Sequence, residues 1–173
     1  MGKVTLVGML VVCAVAIAGA QERDLVARFD GGIGVIPVTG GAGAPNADGT
    51  LPNVKLNVVR GVSPAGPWRI ADLKAVVDSD GEIVVNGKGL LLASGNGIGT
   101  NANASVFATL FCETAAPFVP HNSGIVALAR NGDFHIADTL DPVPTDCASP
   151  VLLIRANGSG VWFAAGIPKL GGD

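Results

Sequence analysis

The sequence predicts an all-β protein, a single-domain β-sandwich or closed barrel of about 8–10 short antiparallel strands that follows an N-terminal signal peptide. Three observations support this fold class. No segment after the leader keeps the i, i+3, i+4, i+7 spacing of apolar residues that is typical of an amphipathic helix. Glycine accounts for 25 of the 173 residues, about twice its usual share. Short apolar runs rich in β-branched residues alternate with turn-forming residues along the chain.

Residues 1–20 have the three parts of a secretory signal peptide. Met1-Gly2-Lys3 is a short basic start, residues 4–17 are almost entirely apolar, and Ala18-Gly19-Ala20 is the small-residue pattern that precedes cleavage. The apolar run is too short to be interpreted as a membrane span. We therefore expect cleavage after Ala20, which leaves residues 21–173 as one β-rich domain.

The same leader has an alternative interpretation as a lipoprotein signal. Leu10-Val11-Val12-Cys13 resembles a bacterial lipobox, in which the cysteine is acylated and becomes the first mature residue. The lipobox has a small residue before the cysteine, where this chain has Val12. Cleavage there would also leave the apolar residues 14–20 on the mature protein. Both versions predict a bacterial secreted or periplasmic protein, and anchoring at Cys13 is the less favoured of the two.

The charge balance excludes some classes of partner. Loss of Lys3 leaves ten basic and fourteen acidic residues, so the net charge changes from −3 to −4. The chain has no run of like charges, whereas nucleic acids and anionic membrane surfaces select clustered Lys and Arg. No segment after the leader is long and apolar enough to span a bilayer. We expect no nucleic-acid partner and no integral membrane span after cleavage.

The cysteines predict one disulfide. Removal of the leader takes away Cys13 and leaves Cys112 and Cys147 as an even pair in an exported protein. A redox-active pair would favour a close C-x-x-C spacing, which these two do not have. A structural disulfide between Cys112 and Cys147 is the simpler interpretation.

The strand signals come in two kinds. Val54-Lys55-Leu56-Asn57-Val58 alternates apolar with polar residues, as expected of a strand with one buried face. Further strands are predicted around residues 83–85, 106–112, 125–129 and 134–136. Three runs are continuously apolar, as expected of strands covered on both faces: residues 90–92, 151–154 and 161–163.

Turn signals separate these strands. Asp48-Gly49 precedes an apolar stretch, and Asp80-Gly81 and Asn131-Gly132 each lie between two apolar runs, which predicts hairpins. Two longer loops are expected at residues 114–123 and 138–150. The predicted disulfide would place both loops at one end of the domain.

Candidate catalytic residues are few. His121 and His135 are the chain's two histidines, so imidazole chemistry would have to use them. His135 alternates with apolar neighbours and should face solvent. A site formed by His121, Asp138 and Asp141 in the loop-rich end would suit a small secreted hydrolase, although the G-x-S-x-G elbow is missing. A metal site would pair a histidine with Asp133, Asp138 or Asp141, but the spacing does not require one.

Two glycine-containing segments resemble ligand loops only in part. Residues 95–101 are spaced G-x-G-x-G and precede a predicted strand, whereas a dinucleotide site needs G-x-G-x-x-G that opens into a helix. Residues 78–82 begin like a calcium loop, but the twelfth position holds Gly89 instead of glutamate. We therefore predict no cofactor.

The aromatic content bears on the kind of ligand. The chain has two tryptophans and no tyrosine, so it lacks the several exposed rings typical of a large glycan-binding surface. Trp162 should be core, and Trp68 is expected at a strand start near the rim. The sequence thus favours a non-enzymatic role in binding, adhesion or envelope structure, with self-association through a sheet edge or an extracellular ligand as the forms of interaction. The alternative is the small hydrolase with a site near His121, Asp138 and Asp141.

Overall fold

The structure, a computed structural model, describes residues 24–36, 47 and 57–169. Every regular element in these residues is a β-strand, in agreement with the all-β prediction. The strands are β1 (Leu25–Gly34), β2 (Trp68–Arg69), β3 (Asp72–Asp78), β4 (Glu82–Lys88), β5 (Leu91–Leu92), β6 (Ser105–Phe111), β7 (His121–Asn122), β8 (Val126–Ala127), β9 (Phe134–Thr139), β10 (Val151–Ala156) and β11 (Trp162–Pro168). The predicted signal peptide with Cys13, the Asp48-Gly49 turn and residues 54–56 of a predicted strand lie outside the described residues.

One antiparallel sheet contains nine of the strands and curls into a half-barrel. Its strand order is β7-β6-β10-β11-β1-β3-β4-β9, and β8 pairs with β6 on the same edge as β7. The short strands β2 and β5 form a separate two-stranded sheet. No helix in this part of the chain is long and apolar enough to cross a membrane.

The β3–β4 hairpin forms as the sequence predicts. Burial alternates strictly along both strands, so one face contributes to the core and the other faces solvent. The turn is closed by a hydrogen bond of 3.0 Å from the Gly81 N–H to the Asp78 carbonyl. Gly81 has φ = 84°, a left-handed conformation that glycine adopts without a steric penalty.

The predicted hairpin at Asn131-Gly132 is correct only in its turn. The Gly132 N–H donates to the Ala129 carbonyl over 2.8 Å, and Gly132 has φ = 81°. However, β8 before the turn pairs with β6, and β9 after it pairs with β4. The buried Asn101 amide explains part of this difference, because it donates to the carbonyls of Leu128 and Ala129, each over 3.0 Å, and thereby holds the chain after β8.

Buried apolar side chains from all the long strands form one cluster. The run at residues 151–154 is covered on both faces as predicted, since Leu152, Leu153 and Ile154 are each 0% exposed. Trp162 is buried as expected. Trp68 corrects the expectation of a rim position, because it is buried and stacks on Phe163 with ring centroids 4.0 Å apart.

Candidate functional site

A disulfide organises the loop-rich end, as the sequence predicts. The sulfur atoms of Cys112 and Cys147 are 2.08 Å apart, and the bond joins the end of β6 to the loop before β10. A hydrogen bond of 2.9 Å from the Ser149 N–H to the Cys112 carbonyl continues this contact. The two long loops therefore lie together.

Arg60 fastens a third segment to the same end. Its guanidinium donates to Ser149 Oγ over 2.7 Å and lies 4.7 Å from the ring centre of Phe118. Phe118 meets Phe111 edge to face, with centroids 6.5 Å apart. A cation over an aromatic ring is stabilised by the ring's negative face, so this cluster is structural packing.

The two ends of the strand order meet along a seam formed by residues 121–124 and 138–142. The seam contains three of the predicted site residues, His121, Asp138 and Asp141. Asn122 of β7 and Asp141, which follows β9, exchange two backbone hydrogen bonds of 2.9 Å. The carboxylate of Asp138 accepts hydrogen bonds from the backbone N–H groups of Gly124 and Thr139. His121, Asp138 and Asp141 are thus in neighbouring segments, as the loop-end hypothesis requires.

The side chains of His121 and Asp138 nevertheless make their hydrogen bonds with backbone groups. His121 is buried, and its Nδ1–H donates to the Pro142 carbonyl, because a carbonyl oxygen can only accept. Among the described contacts, no hydrogen bond joins His121 to Asp138 or Asp141, although a catalytic triad needs such an orienting carboxylate.

Ser123 is the hydroxyl nearest to His121 in sequence, and it is also engaged. Its Oγ accepts a hydrogen bond of 2.9 Å from the Ala108 N–H and donates over 2.9 Å to the Gly124 carbonyl. An activated nucleophile requires a hydrogen bond from the hydroxyl to its base. In the described part of the chain, Ser123 instead joins the backbone of β6 to the chain after β7.

Glu113 is a residue near His121 that the sequence did not indicate. Hydrogen bonds from its own backbone N–H, and from those of Val119 and Cys112, lower the pKa of the Glu113 carboxyl from its ordinary value of 4.5. Desolvation opposes this effect, and the charge of His121 contributes a smaller lowering. The proximity of Glu113 and His121 arises from the fold of the loop at residues 114–120, which has no short-range sequence signal.

His135 lies apart from the seam. It is exposed on β9, as predicted, opposite Asn86 of β4. Its Nδ1–H donates to Asn86 Oδ1 over 2.9 Å. No hydrogen bond in the described residues links His135 to Asp138 or Asp141, so the four predicted site residues do not converge.

Three carboxylates at the β3–β4 turn are close enough to share a cation. Oxygen atoms of Asp78, Asp80 and Glu82 lie within 4.8 Å of one another. The turn itself brings them together, since the Glu82 N–H donates to Asp80 Oδ1 over 3.3 Å. This is the segment that resembles the start of a calcium loop, and its geometry is that of a hairpin connection.

The loop at residues 95–101 lies between the strands β5 and β6. Its base is closed by hydrogen bonds of 2.9 Å between Leu92 and the backbone of Gly99 and Thr100. Ile98 is 64% exposed at this loop. The buried Asn101 amide anchors the end of this loop to the chain after β8, so this asparagine has a structural role.

A shallow groove of about 240 Å³ lies on the outer face of β1, β3 and β4. Val76 and Val84 face each other across the strands at its floor. Arg28, Asp30 and Lys74 contribute its charged lining. Concave sites that combine apolar floors with a few polar groups are the usual places for small-ligand binding.

Comparison of the chain with models of known protein families, with curated protein sequences and with solved structures gives no match.

Proposed function

We propose that this protein is an exported, disulfide-stabilised β-domain that acts by binding an extracellular or envelope component and has no catalytic activity. The observation that supports this proposal most directly is the state of the loop-end side chains. Ser123 Oγ makes its hydrogen bonds with the backbone of Ala108 and Gly124, and His121 Nδ1 bonds to the Pro142 carbonyl. A hydrolase would need a hydrogen bond from its serine hydroxyl to a base, and no described contact joins Ser123 to His121.

A panel of hydrolysis assays tests the catalytic alternative. The mature protein is incubated with chromogenic esters, casein and cell-wall peptides, alongside the variants His121→Gln and Ser123→Ala. We expect no hydrolysis above buffer by any of the three. Hydrolysis by the wild type that is lost in a folded variant would support the hydrolase and overturn the proposal.

The groove floored by Val76 and Val84 is the surface on which binding is best tested. The measurement is co-sedimentation of the mature protein with isolated cell envelopes over a concentration series. We expect saturable binding that falls several-fold in Val84→Lys, because a charge replaces an apolar contact at the groove floor. Ile98→Lys is the matched control, since Ile98 is exposed on a loop that does not line the groove. Binding that is not saturable, or equal loss in both variants, would contradict a specific site at the groove.

Export to the secreted or periplasmic space is the second part of the proposal. It is supported by the leader at residues 1–20 and by the disulfide, which persists in oxidising compartments. Expression of the full chain in a bacterial host should yield an extracytoplasmic product that begins at Gln21. Cys13→Ala should be exported equally well, whereas its loss of processing would favour lipoprotein anchoring at Cys13.

We also infer that the curled sheet is a partly closed barrel. The two backbone hydrogen bonds between Asn122 and Asp141 support this form, because they connect the opposite ends of the strand order. Hydrogen exchange tests it at two amides. The N–H groups of Asn122 and Asp141 should exchange as slowly as those of β6, and fast exchange at both would favour an open sandwich.

A further inference from the structure

The chain contains four Asn-Gly pairs that share their local sequence and differ in their surroundings. They are Asn86-Gly87, Asn96-Gly97, Asn131-Gly132 and Asn157-Gly158. An asparagine followed by glycine can lose ammonia when the glycine nitrogen attacks the side-chain amide carbon. The attack needs a free glycine N–H, a free side-chain amide and a peptide that can rotate, so the fold decides which pair reacts.

Two of the pairs are held in place by hydrogen bonds and packing. Asn86 accepts a hydrogen bond of 2.9 Å from His135, and Gly87 lies in β4 under the ring of Phe134. Asn131 bonds to both the carboxylate and the backbone N–H of Asp133. The Gly132 N–H, which would be the nucleophile, donates to the Ala129 carbonyl over 2.8 Å.

The Asn96-Gly97 pair is partly restrained. Asn96 is exposed, but the Gly97 carbonyl accepts two hydrogen bonds from Thr100, of 3.0 Å from its N–H and 2.8 Å from its hydroxyl. Gly97 also lies against Leu92, since a β-carbon on it would be 3.0 Å from the Leu92 side chain. These contacts hold Gly97 in place and so limit the movement of its nitrogen that the attack requires.

Asn157-Gly158 has none of these restraints. Both residues are exposed in the turn between β10 and β11. In the described structure, neither the Asn157 side-chain amide nor the Gly158 N–H makes a hydrogen bond. Gly158 has φ = 92°, and no heavy atom lies within 4 Å of the position of a β-carbon on it. The turn is anchored on both sides, by the Asn157 N–H on the Ser105 carbonyl and by the Gly160 N–H on the Ala156 carbonyl.

We propose that Asn157 is a site of spontaneous deamidation, through which the exported protein acquires a carboxylate in this turn as it ages. The Gly158 nitrogen gives its proton to solvent base and bonds to Cγ of Asn157. The side-chain nitrogen takes up a proton and leaves as ammonia, which produces a cyclic imide. Water then adds to one of the two imide carbonyls and opens the ring to aspartate or isoaspartate. The net reaction consumes one water and releases one ammonia, with no oxidant or reductant.

The new charge would lie in the turn that holds Arg155. The Arg155 Nε–H donates to the Gly160 carbonyl over 2.8 Å, and the guanidinium lies 5.2 Å from the ring centre of Phe107. No carboxylate of the described residues forms an ion pair with Arg155. A carboxylate at position 157 would place a negative charge two residues along the chain from a half-buried cation whose described partners are neutral.

Peptide mapping of the ageing folded protein tests the proposal. The mature, oxidised protein is incubated at mildly alkaline pH, and the four peptides are followed by mass spectrometry for conversion of amide to acid. Asn157 should convert first and Asn86 and Asn131 last, with at least tenfold between these rates. In reduced protein unfolded in urea the four rates should converge to within a few-fold, since the sequence Asn-Gly is common to all.

Comparison of the four Asn-Gly pairs within one protein tests the proposal without any variant. Conversion of Asn96 or Asn131 as fast as Asn157 in the folded protein would overturn the proposal. So would a rate at Asn157 that is more than tenfold slower in the folded than in the unfolded chain, because the turn would then protect it. Asn157→Gln identifies the modified peptide, since glutamine deamidates far more slowly by this route.

Discussion

The curled sheet has an exposed half, which contains β3 and β4, and a covered half, which contains β6 and β10. Both halves are antiparallel, yet they bury their side chains differently. In β3 and β4, buried and exposed residues alternate without exception. In β10, three successive residues, Leu152, Leu153 and Ile154, are fully buried. Successive residues of a strand point to opposite faces, so β3 and β4 each have one solvent-exposed face, whereas both faces of β10 are covered at residues 152–154.

The difference lies in what covers the outer face. Outside β6 and β10, Phe118 packs on Phe111 at one end under Arg60, and Arg155 covers Phe107 at the other. The disulfide joins the chain that follows β6 to the chain that precedes β10. Outside β3 and β4, the corresponding surface is the open groove floored by Val76 and Val84. Burial of the outer face of β6 and β10 thus depends on loops long enough to cover it and on the disulfide that holds those loops.

The largest expected effect comes from removing that bond. Replacing both Cys112 and Cys147 by alanine should lower the free energy of unfolding by about 3–4 kcal/mol, because the unfolded chain regains the freedom of a loop of about 36 residues. Urea unfolding of the double variant and the oxidised wild type measures the difference. Wild type treated with reductant is the matched control and should lose a similar amount. A loss under about 1 kcal/mol would contradict the role of the disulfide in holding the covered half.

The comparison of the two outer faces is tested by one residue from each. Leu153→Ala should cost about 3 kcal/mol, because it removes a fully buried side chain and leaves a cavity. Val84→Ala, on the exposed face of β4, should change the free energy of unfolding by less than about 0.5 kcal/mol. Both values come from urea denaturation of the oxidised proteins. Equal losses would show that the two outer faces are equally covered.

The inner face of β4 is tightly packed at Gly87. A β-carbon on Gly87 would lie 2.0 Å from the ring of Phe134, which covers this glycine from the neighbouring strand. Gly87→Ala should therefore cost about 2 kcal/mol, since the ring must move in a packed core. Gly66→Ala is the control, because no heavy atom lies within 4 Å of its added β-carbon. Thermal unfolding should show a clear loss for the first variant and little change for the second.

Sequence patterns predicted part of the difference between the halves. The continuous run at residues 151–154 predicted a strand covered on both faces, whereas residues 83–85 were predicted as a strand without an assignment of its faces. The cysteine pair followed from the even count after removal of the leader. Each of these inferences uses either a local pattern or a residue count, and neither depends on which distant segments pair in the fold.

Pairings between segments distant in the sequence could not be predicted from local patterns. The Asn131-Gly132 turn was predicted correctly, but its strands pair elsewhere because β6 offers β8 a partner and Asn101 holds the chain beyond it. The contacts of the candidate site residues depend on such pairings too. His121, Asp138 and Asp141 are in neighbouring segments, but their partners are Pro142, Gly124 and Asn122, which are determined by the seam and by no motif.

The smallest expected effect is electrostatic and concerns Glu113, at the end of the covered half. Its pKa is lower in the folded protein than the ordinary value of 4.5, chiefly through backbone N–H groups that bind the ionised carboxylate. A group with a depressed folded pKa contributes stability above its unfolded pKa and loses that contribution as the pH falls through its folded pKa. Glu113→Gln should therefore be slightly less stable than the wild type near neutral pH, and the difference should vanish in acid.

Urea midpoints at about pH 7 and about pH 3 measure this dependence. Asp146→Asn, an exposed change from carboxyl to amide at the same end of the molecule, controls for the loss of one negative charge. Since Glu113 is only partly buried, the effect should be small and should decrease with added salt. If the two variants showed the same pH dependence, net charge alone would explain it. The backbone groups of the loop after β6 would then make no specific contribution at Glu113, and the covered half would depend on its disulfide and apolar packing.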